Sequence, residues 1–258
     1  MQKFFLATTV VASLTVASFE GLAAVDEVIL APQDWTFNGF TGGFDRQQLQ
    51  RGFQIHREIC AACHSLNYIA FRNLGDLGYS EAQIKALAAE YELEDGPDEE
   101  GDMFYRAAVP SDYFPGPYPN DNFARASNNG SLPPDLSLIT KARVGGPDYL
   151  YNLLLAYEEP PPDVEVVFGM EYNSVFSGGQ IAMPQQLFDD LIEYADGTPA
   201  TADQMARDVT AFLHWAAEPK LEVRKTTGIR VILFTLVFTI LAYFLKRRVW
   251  SRLDNPSD

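Results

Sequence analysis

The feature that most constrains this chain of 258 residues is the short motif CAACH at residues 60–64. The motif contains the only two cysteines of the chain, Cys60 and Cys63, and a histidine, His64, directly after the second. Two thiols at this spacing beside a histidine can serve as a redox dithiol, as part of a zinc site, or as the covalent attachment site of a haem. The fold around the motif must serve one of these three chemistries.

The residues around the motif argue against the first two uses. A thioredoxin-like dithiol needs a strand before the motif, and no strand pattern precedes it. A structural zinc site needs four ligands, and outside the motif only His56 and His214 offer nitrogen. On a helix, positions i, i+3 and i+4 share a face, so both sulfurs can reach one porphyrin edge while the imidazole points at the iron. The motif therefore predicts one haem c, held through two thioether bonds at Cys60 and Cys63, with His64 directed at the iron.

The second axial position of the iron has six candidate side chains: His56, His214, Met103, Met170, Met183 and Met205. His56 lies one turn before the motif, and we interpret it as a surface histidine. His214 and Met205 lie on a helix where packing is the ordinary interpretation, and Met103 borders an acidic run. Met183 is favoured because it lies in the segment GGQIAMP. The two glycines make the backbone before Met183 flexible, and the proline restricts the backbone after it. Histidine–methionine ligation leaves no open position on the iron, which favours electron transfer over catalysis.

The N-terminus predicts export of the chain. Residues 1–24 combine a basic start, an apolar middle and small residues before an acidic segment, which is the layout of a signal peptide. The domain that follows, residues 25–225, is therefore expected outside the cytoplasm.

An apolar run near the other end predicts a membrane anchor. Residues 231–245 are uncharged and apolar, and as a helix they span roughly 22 Å, short of a ~30 Å hydrocarbon core. Basic residues at both flanks can snorkel, which extends the predicted transmembrane helix to residues 226–248. Residues 249–258 then form a short cytoplasmic tail.

Helical periodicity dominates the part of the chain between these ends. Asp45 is a candidate cap for a helix that runs into the cysteine motif, and Ser80 for a second helix over residues 80–91. A short buried helix is predicted at residues 149–157, and an amphipathic helix at residues 201–219. The predicted fold class is mostly α, with long irregular loops and one C-terminal transmembrane helix.

Two segments between the helices are predicted to be irregular. Residues 110–147 are dense in proline, glycine and asparagine, and such a long loop is uncommon in a compact domain unless it wraps a ligand. Residues 92–102 are acidic and turn-rich, and their carboxylates lack calcium-loop spacing. We therefore expect a solvated loop there rather than a site for a hard cation.

Charge is distributed unevenly along the chain. Residues 1–24 are neutral and residues 220–258 carry +5, so the total of −16 leaves −21 on residues 25–219. Such an acidic domain repels nucleic acid and anionic membrane surfaces and attracts a basic protein. A nucleic-acid partner is therefore excluded, and a basic protein partner is expected. The alternative is that the acidity serves only the solubility of the domain.

Four long stretches carry a resemblance to a known family. They are RGFQIHREICAACHSLNYIAFRNL at residues 51–74, SDYFPGPYPN through YLYNLL at residues 111–154, FSGGQIAMPQQL at residues 176–187, and ADGTPATADQMARDV through RKTTG at residues 195–228. In this order, and followed by the terminal apolar helix, they resemble the cytochrome c1 family. The resemblance covers essentially everything after about residue 37 and implies a class I cytochrome c-like haem domain of the bacterial type.

The resemblance also assigns the iron ligands. It implies covalent haem at Cys60 and Cys63, with His64 and Met183 as the two axial ligands. The chain departs from the family in reading Phe-Ser-Gly before Met183 where members often have Phe-Pro-Gly. Some bacterial relatives carry a further disulfide near the haem, which this chain cannot form because both cysteines are used.

Further residues are implied to surround the haem. Arg143 matches an arginine that pairs with a haem propionate, and Tyr149 matches a tyrosine close to the same haem. A guanidinium suits a propionate because its planar fork binds a carboxylate bidentately. The remaining residues implied to line the haem crevice are Arg125, Asn128, Pro133 and Pro134.

The resemblance implies an electron-transfer subunit of the cytochrome bc1 complex, without catalytic chemistry of its own. Its haem would take one electron from the Rieske iron–sulfur protein and pass it to a soluble, basic c-type cytochrome during ubiquinol oxidation coupled to proton translocation. The expected partners are those two proteins, cytochrome b and membrane lipid, in a dimeric complex of the bacterial inner membrane with the haem domain in the periplasm. The alternatives are an anchored monohaem cytochrome of a terminal oxidase and a haem enzyme or sensor with an open iron position.

Overall fold

The computed structural model of the chain describes residues 30–254, with side chains through residue 251. The predicted signal peptide and residues 255–258 of the predicted tail lie outside the described residues. Six α-helices, two short 3-10 turns and four short strands are found in the described range. The prediction of a mostly helical fold is confirmed. In chain order the elements are α1 (Arg46–Glu58), 3-10 turns at Cys60–Ala62 and Phe71–Leu77, α2 (Glu81–Ala88), β1 (Glu92–Asp95), β2 (Phe104–Ala107), α3 (Asp121–Ser127), α4 (Gly146–Leu155), β3 (Glu171–Tyr172), β4 (Gln180–Ile181), α5 (Ala202–Ala217) and α6 (Leu221–Asp254).

Local cap chemistry sets where the helices begin. The Asp45 carboxylate accepts hydrogen bonds from the first turn of α1, and Ser80 and Thr201 cap α2 and α5 through their hydroxyls. Each satisfies amide groups that the first helical turn leaves without a partner. The predicted helices are therefore present, although α1 ends at Glu58, before the cysteine motif, and α4 begins three residues earlier than expected.

The core of the domain forms where α1 crosses α5. A Cβ atom added at Gly52 of α1 would lie 2.1 Å from the Asp208 carbonyl oxygen and 2.6 Å from Cβ of Phe212, both on α5. Only glycine permits this separation of the two backbones. Beside the crossing, Arg51 donates to the Asp208 carboxylate at 2.7 Å and to Asp196 at 2.8 Å, so the fully buried carboxylate is neutralised.

His56 is buried, and its interpretation as a surface histidine is wrong. Its side chain is 3% exposed on the inward face of α1, where the ring packs 5.6 Å from Phe212. Burial lowers the pKa of His56 to about 4, with a smaller contribution from His64, so the imidazole is neutral at physiological pH. The inward position follows from helical periodicity, since Gly52, Phe53 and Ile55 of the same helix are also buried.

The acidic run is partly ordered into a hairpin, where the sequence predicted only a loop. β1 pairs with β2 antiparallel, from Glu92 opposite Ala107 to Asp95 opposite Phe104. The guanidinium of Arg106 on β2 donates to the carboxylates of both Asp95 and Asp112. This bridge ties the hairpin to the following loop. The sequences of β1 and β2 show no alternation of apolar and polar residues, because both faces of the hairpin are largely exposed.

The last helix, α6, leaves the domain without a linker. It has 34 residues and includes the predicted transmembrane span, and it is the one helix among the described residues long and apolar enough to cross a membrane. Its first residue, Leu221, is buried in the domain. The Glu222 carboxylate accepts from the Phe44 amide at 2.7 Å, and Lys225 donates to the Gly42 carbonyl at 3.1 Å. The start of α6 is thus bound to the segment that precedes α1.

Replacement of Gly52 by alanine tests the α1–α5 crossing. The added methyl meets backbone and Cβ atoms that cannot rotate away, so G52A is expected to lower the free energy of unfolding by about 1–3 kcal/mol. Thermal unfolding in detergent, followed by circular dichroism, measures the change. G228A is the matched control, because no atom lies within 4 Å of a Cβ added at this helical glycine. Equal melting temperatures for G52A and the unsubstituted protein would contradict the proposed constraint.

Candidate haem site

The cysteine motif forms a tight 3-10 turn directly after α1. The amides of Cys63 and His64 both donate to the Cys60 carbonyl, at 3.1 and 2.9 Å. The two thiols are unpaired, with Cys60 half-buried and Cys63 exposed. Burial, with a smaller contribution from Cys63, raises the pKa of the Cys60 thiol to about 12, so it is a poor source of the thiolate that a redox dithiol requires.

The imidazole of His64 is oriented by one hydrogen bond to the backbone. Its Nδ1 lies 2.8 Å from the Pro134 carbonyl oxygen. A carbonyl can only accept, so Nδ1 carries the proton and the lone pair is on Nε2. Burial lowers the pKa of His64 despite the opposing effect of this hydrogen bond, so the ring is neutral. A neutral imidazole with a fixed Nδ1–H is the arrangement that metal-bound histidines in proteins show.

The segment that supplies the Pro134 carbonyl, residues 131–137, is held by Asp135. Its carboxylate accepts from the Ser65 hydroxyl at 2.7 Å, the Asn67 amide at 2.9 Å and the Ser137 amide at 2.8 Å. Burial acts to raise the pKa of Asp135, but these hydrogen bonds outweigh it and the pKa lies below the ordinary value. Asp135 therefore fixes this loop to the residues that follow the cysteine motif. Asp135 was not predicted from the sequence, where its only signal is a carboxylate directly after Pro133 and Pro134.

Two of the predicted crevice residues lie at the end of α3, Arg125 in its last turn and Asn128 directly after it. Asn128 donates to the Ala124 carbonyl at 2.7 Å and to the Tyr118 hydroxyl at 3.0 Å. Arg125 is exposed, and its guanidinium donates to the Gly130 carbonyl at 3.2 Å. Both side chains stabilise the turn that leads into residues 131–137.

Arg143 and Tyr149 lie near each other at the start of α4. Burial raises the pKa of the half-buried Tyr149 phenol, and the positive charge of Arg143 partly opposes this shift. Arg143 is exposed, donates to the Ala142 carbonyl at 3.1 Å, and has no carboxylate within 4.0 Å among the described residues. In an acidic domain, a guanidinium without a carboxylate partner is available for an external anion.

Met183 lies in the loop after β4, half-buried and packed against the core. Its carbonyl accepts a hydrogen bond from the Tyr157 hydroxyl at 2.9 Å. Tyr157 was not predicted from the sequence, since it donates to a backbone atom 26 residues away and no side-chain pattern marks it.

The five other candidates for the second axial ligand differ from Met183 in their surroundings. His56 and Met205 are buried in the core between α1 and α5. His214 stacks on Phe37 at 4.4 Å, and its Nδ1 lies 3.2 Å from the Thr140 hydroxyl. Met103 and Met170 are exposed. Met183 alone among the described methionines is half-buried on a loop.

The structure thus joins the predicted residues in local groups. His64 is bonded to Pro134, Arg143 lies near Tyr149, and Asn128 holds its own turn. No described hydrogen bond links Met183 to any of these groups. The arrangement offers two unpaired thiols, one oriented imidazole, a thioether and a free guanidinium, which are the donors that a covalently held haem with a propionate requires.

Comparison with known proteins gives the family. Residues 35–253 match the Cytochrome C1 family. Cytochrome c1 of Rhodospirillum rubrum is 47% identical over 95% of this chain and 97% of its own length. The mitochondrial cytochrome c1 haem protein of Schizosaccharomyces pombe is 51% identical over 86% of this chain and 72% of its own length. The protein of Candida albicans named cytochrome b-c1 complex catalytic subunit is 48% identical over 86% of this chain and 77% of its own length. The chain belongs to the cytochrome c1 family.

Proposed function

We propose that this chain is the haem-carrying electron-transfer subunit of a bacterial cytochrome bc1 complex. It receives one electron from the Rieske iron–sulfur protein and passes it to a soluble, basic c-type cytochrome, as one step of ubiquinol oxidation coupled to proton translocation. Membership of the cytochrome c1 family, together with the Candida albicans relative named for the cytochrome b-c1 complex, carries this proposal.

The haem is held by residues from two distant parts of the chain. Cys60 and Cys63 would form the thioether bonds, and His64 and Met183 would ligate the iron. When bound, the haem supplies an iron that exchanges one electron at a time. The hydrogen bond from His64 Nδ1 to the Pro134 carbonyl keeps the proton away from Nε2, which leaves that nitrogen available as a ligand. Histidine and thioether ligation together exclude an open position for oxygen.

Arg143 binds a haem propionate, with Tyr149 beside it. The absence of a described carboxylate within 4.0 Å of Arg143 supports this role, because a domain of −21 offers many carboxylates that could have paired with it. The crevice wall comprises Arg125, Asn128, Pro133 and Pro134, whose positions the hydrogen bonds of Asn128 and Asp135 fix.

The soluble acceptor approaches an acidic surface. The acidic hairpin, residues 92–107, presents exposed carboxylates next to exposed apolar side chains, which are Met103, Phe104 and Tyr105. An apolar centre with a charged rim is the usual composition of a protein interface. Attraction between opposite charges speeds the encounter more than it tightens the complex.

The chain is anchored in the inner membrane by α6, with its haem domain in the periplasm and its tail in the cytoplasm. Cytochrome b and lipid contact the anchor in a dimeric complex. The apolar run of α6 at residues 231–245, all of which is exposed within the chain, supports contacts of this kind.

Purification of the full chain from its membrane in detergent tests the proposed assembly. Cytochrome b and a Rieske subunit are expected to co-purify, and the redox difference spectrum is expected to show c-type and b-type haem. Co-purification with terminal oxidase subunits instead would contradict the proposal.

Replacement of Met183 by leucine tests the axial ligand. M183L is expected to abolish the near-infrared charge-transfer band of thioether–iron ligation and to lower the reduction potential, because the iron loses its soft ligand. Optical spectra and a redox titration measure both effects. Met170 is exposed and lies on the preceding loop, so M170L is the matched control and is expected to leave both unchanged. An unchanged potential in M183L would identify a different ligand.

Neutralisation of the acidic hairpin tests the steering of the acceptor. The variant with Glu92, Glu94, Glu99 and Glu100 replaced by glutamine is expected to reduce a basic c-type cytochrome more slowly at low ionic strength. The difference is expected to vanish at high salt, where charges are screened. Stopped-flow kinetics measure the bimolecular rate constant. Four exposed carboxylates of another loop, Glu158, Glu159, Asp163 and Glu165, give the matched control when replaced by amides. Equal slowing by both variants would show that only net charge matters.

A further inference from the structure

We infer that Tyr157 is a positioning residue for the Met183 thioether, acting with the buried Asn173 through the backbone of the Met183 loop. The inference rests on the proposed axial ligation by Met183. Tyr157 acts through the backbone carbonyl and does not touch the reacting atoms.

The loop around Met183 has little regular structure of its own. β4 ends at Ile181, and the next fully buried side chain after Met183 is that of Leu187. Within the part of the chain that the structure describes, the Met183 carbonyl receives one hydrogen bond, the one from Tyr157. Both cysteines are assigned to the haem, so no disulfide can hold the loop.

The Tyr157 phenol is a fixed hydrogen-bond donor. It lies 2.9 Å from the Met183 carbonyl oxygen, and its ring packs against the core. A phenol hydroxyl keeps its proton throughout the physiological pH range, so the hydrogen bond persists there.

Asn173 holds the backbone on which Tyr157 depends. It is fully buried, and it pairs with Tyr157 in an antiparallel bridge. Its side-chain amide donates to the Leu153 carbonyl of α4 at 2.9 Å. Its side-chain oxygen accepts from the amides of Val175 and Phe176 at 3.1 and 3.0 Å.

The backbone of Asn173 completes the connection to the Met183 loop. Its amide donates to the Gly179 carbonyl at 2.9 Å, one residue before β4. The end of α4, the turn at residues 173–179 and β4 are therefore tied together by buried hydrogen bonds. Tyr157 extends this unit by one further bond, to the carbonyl of the ligand residue itself. Fully satisfied buried networks of this kind restrict motion more than single exposed hydrogen bonds do.

Removal of the Tyr157 hydroxyl should therefore increase the mobility of the Met183 thioether, while the thioether itself remains in place. An external ligand that competes with Met183 for the iron should bind faster, because it binds when the thioether is displaced. The expected change is roughly two- to tenfold, the range that the loss of one neutral hydrogen bond corresponds to.

The experiment compares Y157F with the unsubstituted full chain in detergent. Cyanide is added to the oxidised protein, and the rate of binding is followed in the haem absorption spectrum. Y157F is expected to bind cyanide faster and to have a lower reduction potential, while its haem content and near-infrared band at rest are retained. These readouts do not depend on the acceptor cytochrome or on the turnover of the complex.

Y151F is the matched control. The Tyr151 hydroxyl donates to the Asp203 carboxylate of α5 and has no described contact with the Met183 loop. Cyanide binding at the unsubstituted rate is expected for Y151F. The inference is overturned if Y157F binds cyanide at the unsubstituted rate, or if Y151F accelerates binding equally. If the unsubstituted protein itself lacks the near-infrared band, the proposed axial ligation fails instead.

Discussion

The close approach of α1 to α5 at Gly52 is the contact on which the rest of the domain is built. Because Gly52 has no side chain, the two helices can lie backbone against backbone. A Cβ atom at this position would collide with the Asp208 carbonyl and Phe212. The buried surfaces of both helices then form one core. The cysteine motif follows directly after α1, so its position is set by this crossing. Arg51 neutralises the Asp208 carboxylate at the same crossing, so no unpaired buried charge destabilises the contact between the two helices.

Away from that crossing, polar contacts also hold the loops in place. Asp135 receives hydrogen bonds from three groups and thereby fixes the loop that supplies the Pro134 carbonyl. Asn173 holds the turn before β4 in a similar way, through its side-chain hydrogen bonds with Leu153 and Phe176. The Pro134 carbonyl accepts a hydrogen bond from the His64 ring, and the Met183 carbonyl accepts one from the Tyr157 hydroxyl. Irregular segments can therefore be held in a defined geometry when a polar side chain satisfies their amides.

What the sequence could predict was local. The caps at Asp45 and Thr201 were predictable because they act within three residues of their own position. The burial of His56 was recoverable from the periodicity of α1, and the error came from placing it by its distance to the motif alone. The bonds His64–Pro134 and Tyr157–Met183 were not predictable, because each ends on a backbone carbonyl. Every residue carries that group, so composition and spacing give no signal for it.

The junction between the domain and α6 limits how the two can move relative to each other. α6 begins inside the domain at Leu221, and Glu222 and Lys225 bind the segment before α1. With a rise of about 1.5 Å per residue, the stretch from Leu221 to Arg230 places the apolar run roughly 13 Å from the start of the helix. A swing of the domain about α6 would expose the buried Leu221 and break the hydrogen bonds of Glu222 and Lys225. The domain is therefore held in a defined position and direction relative to the start of α6.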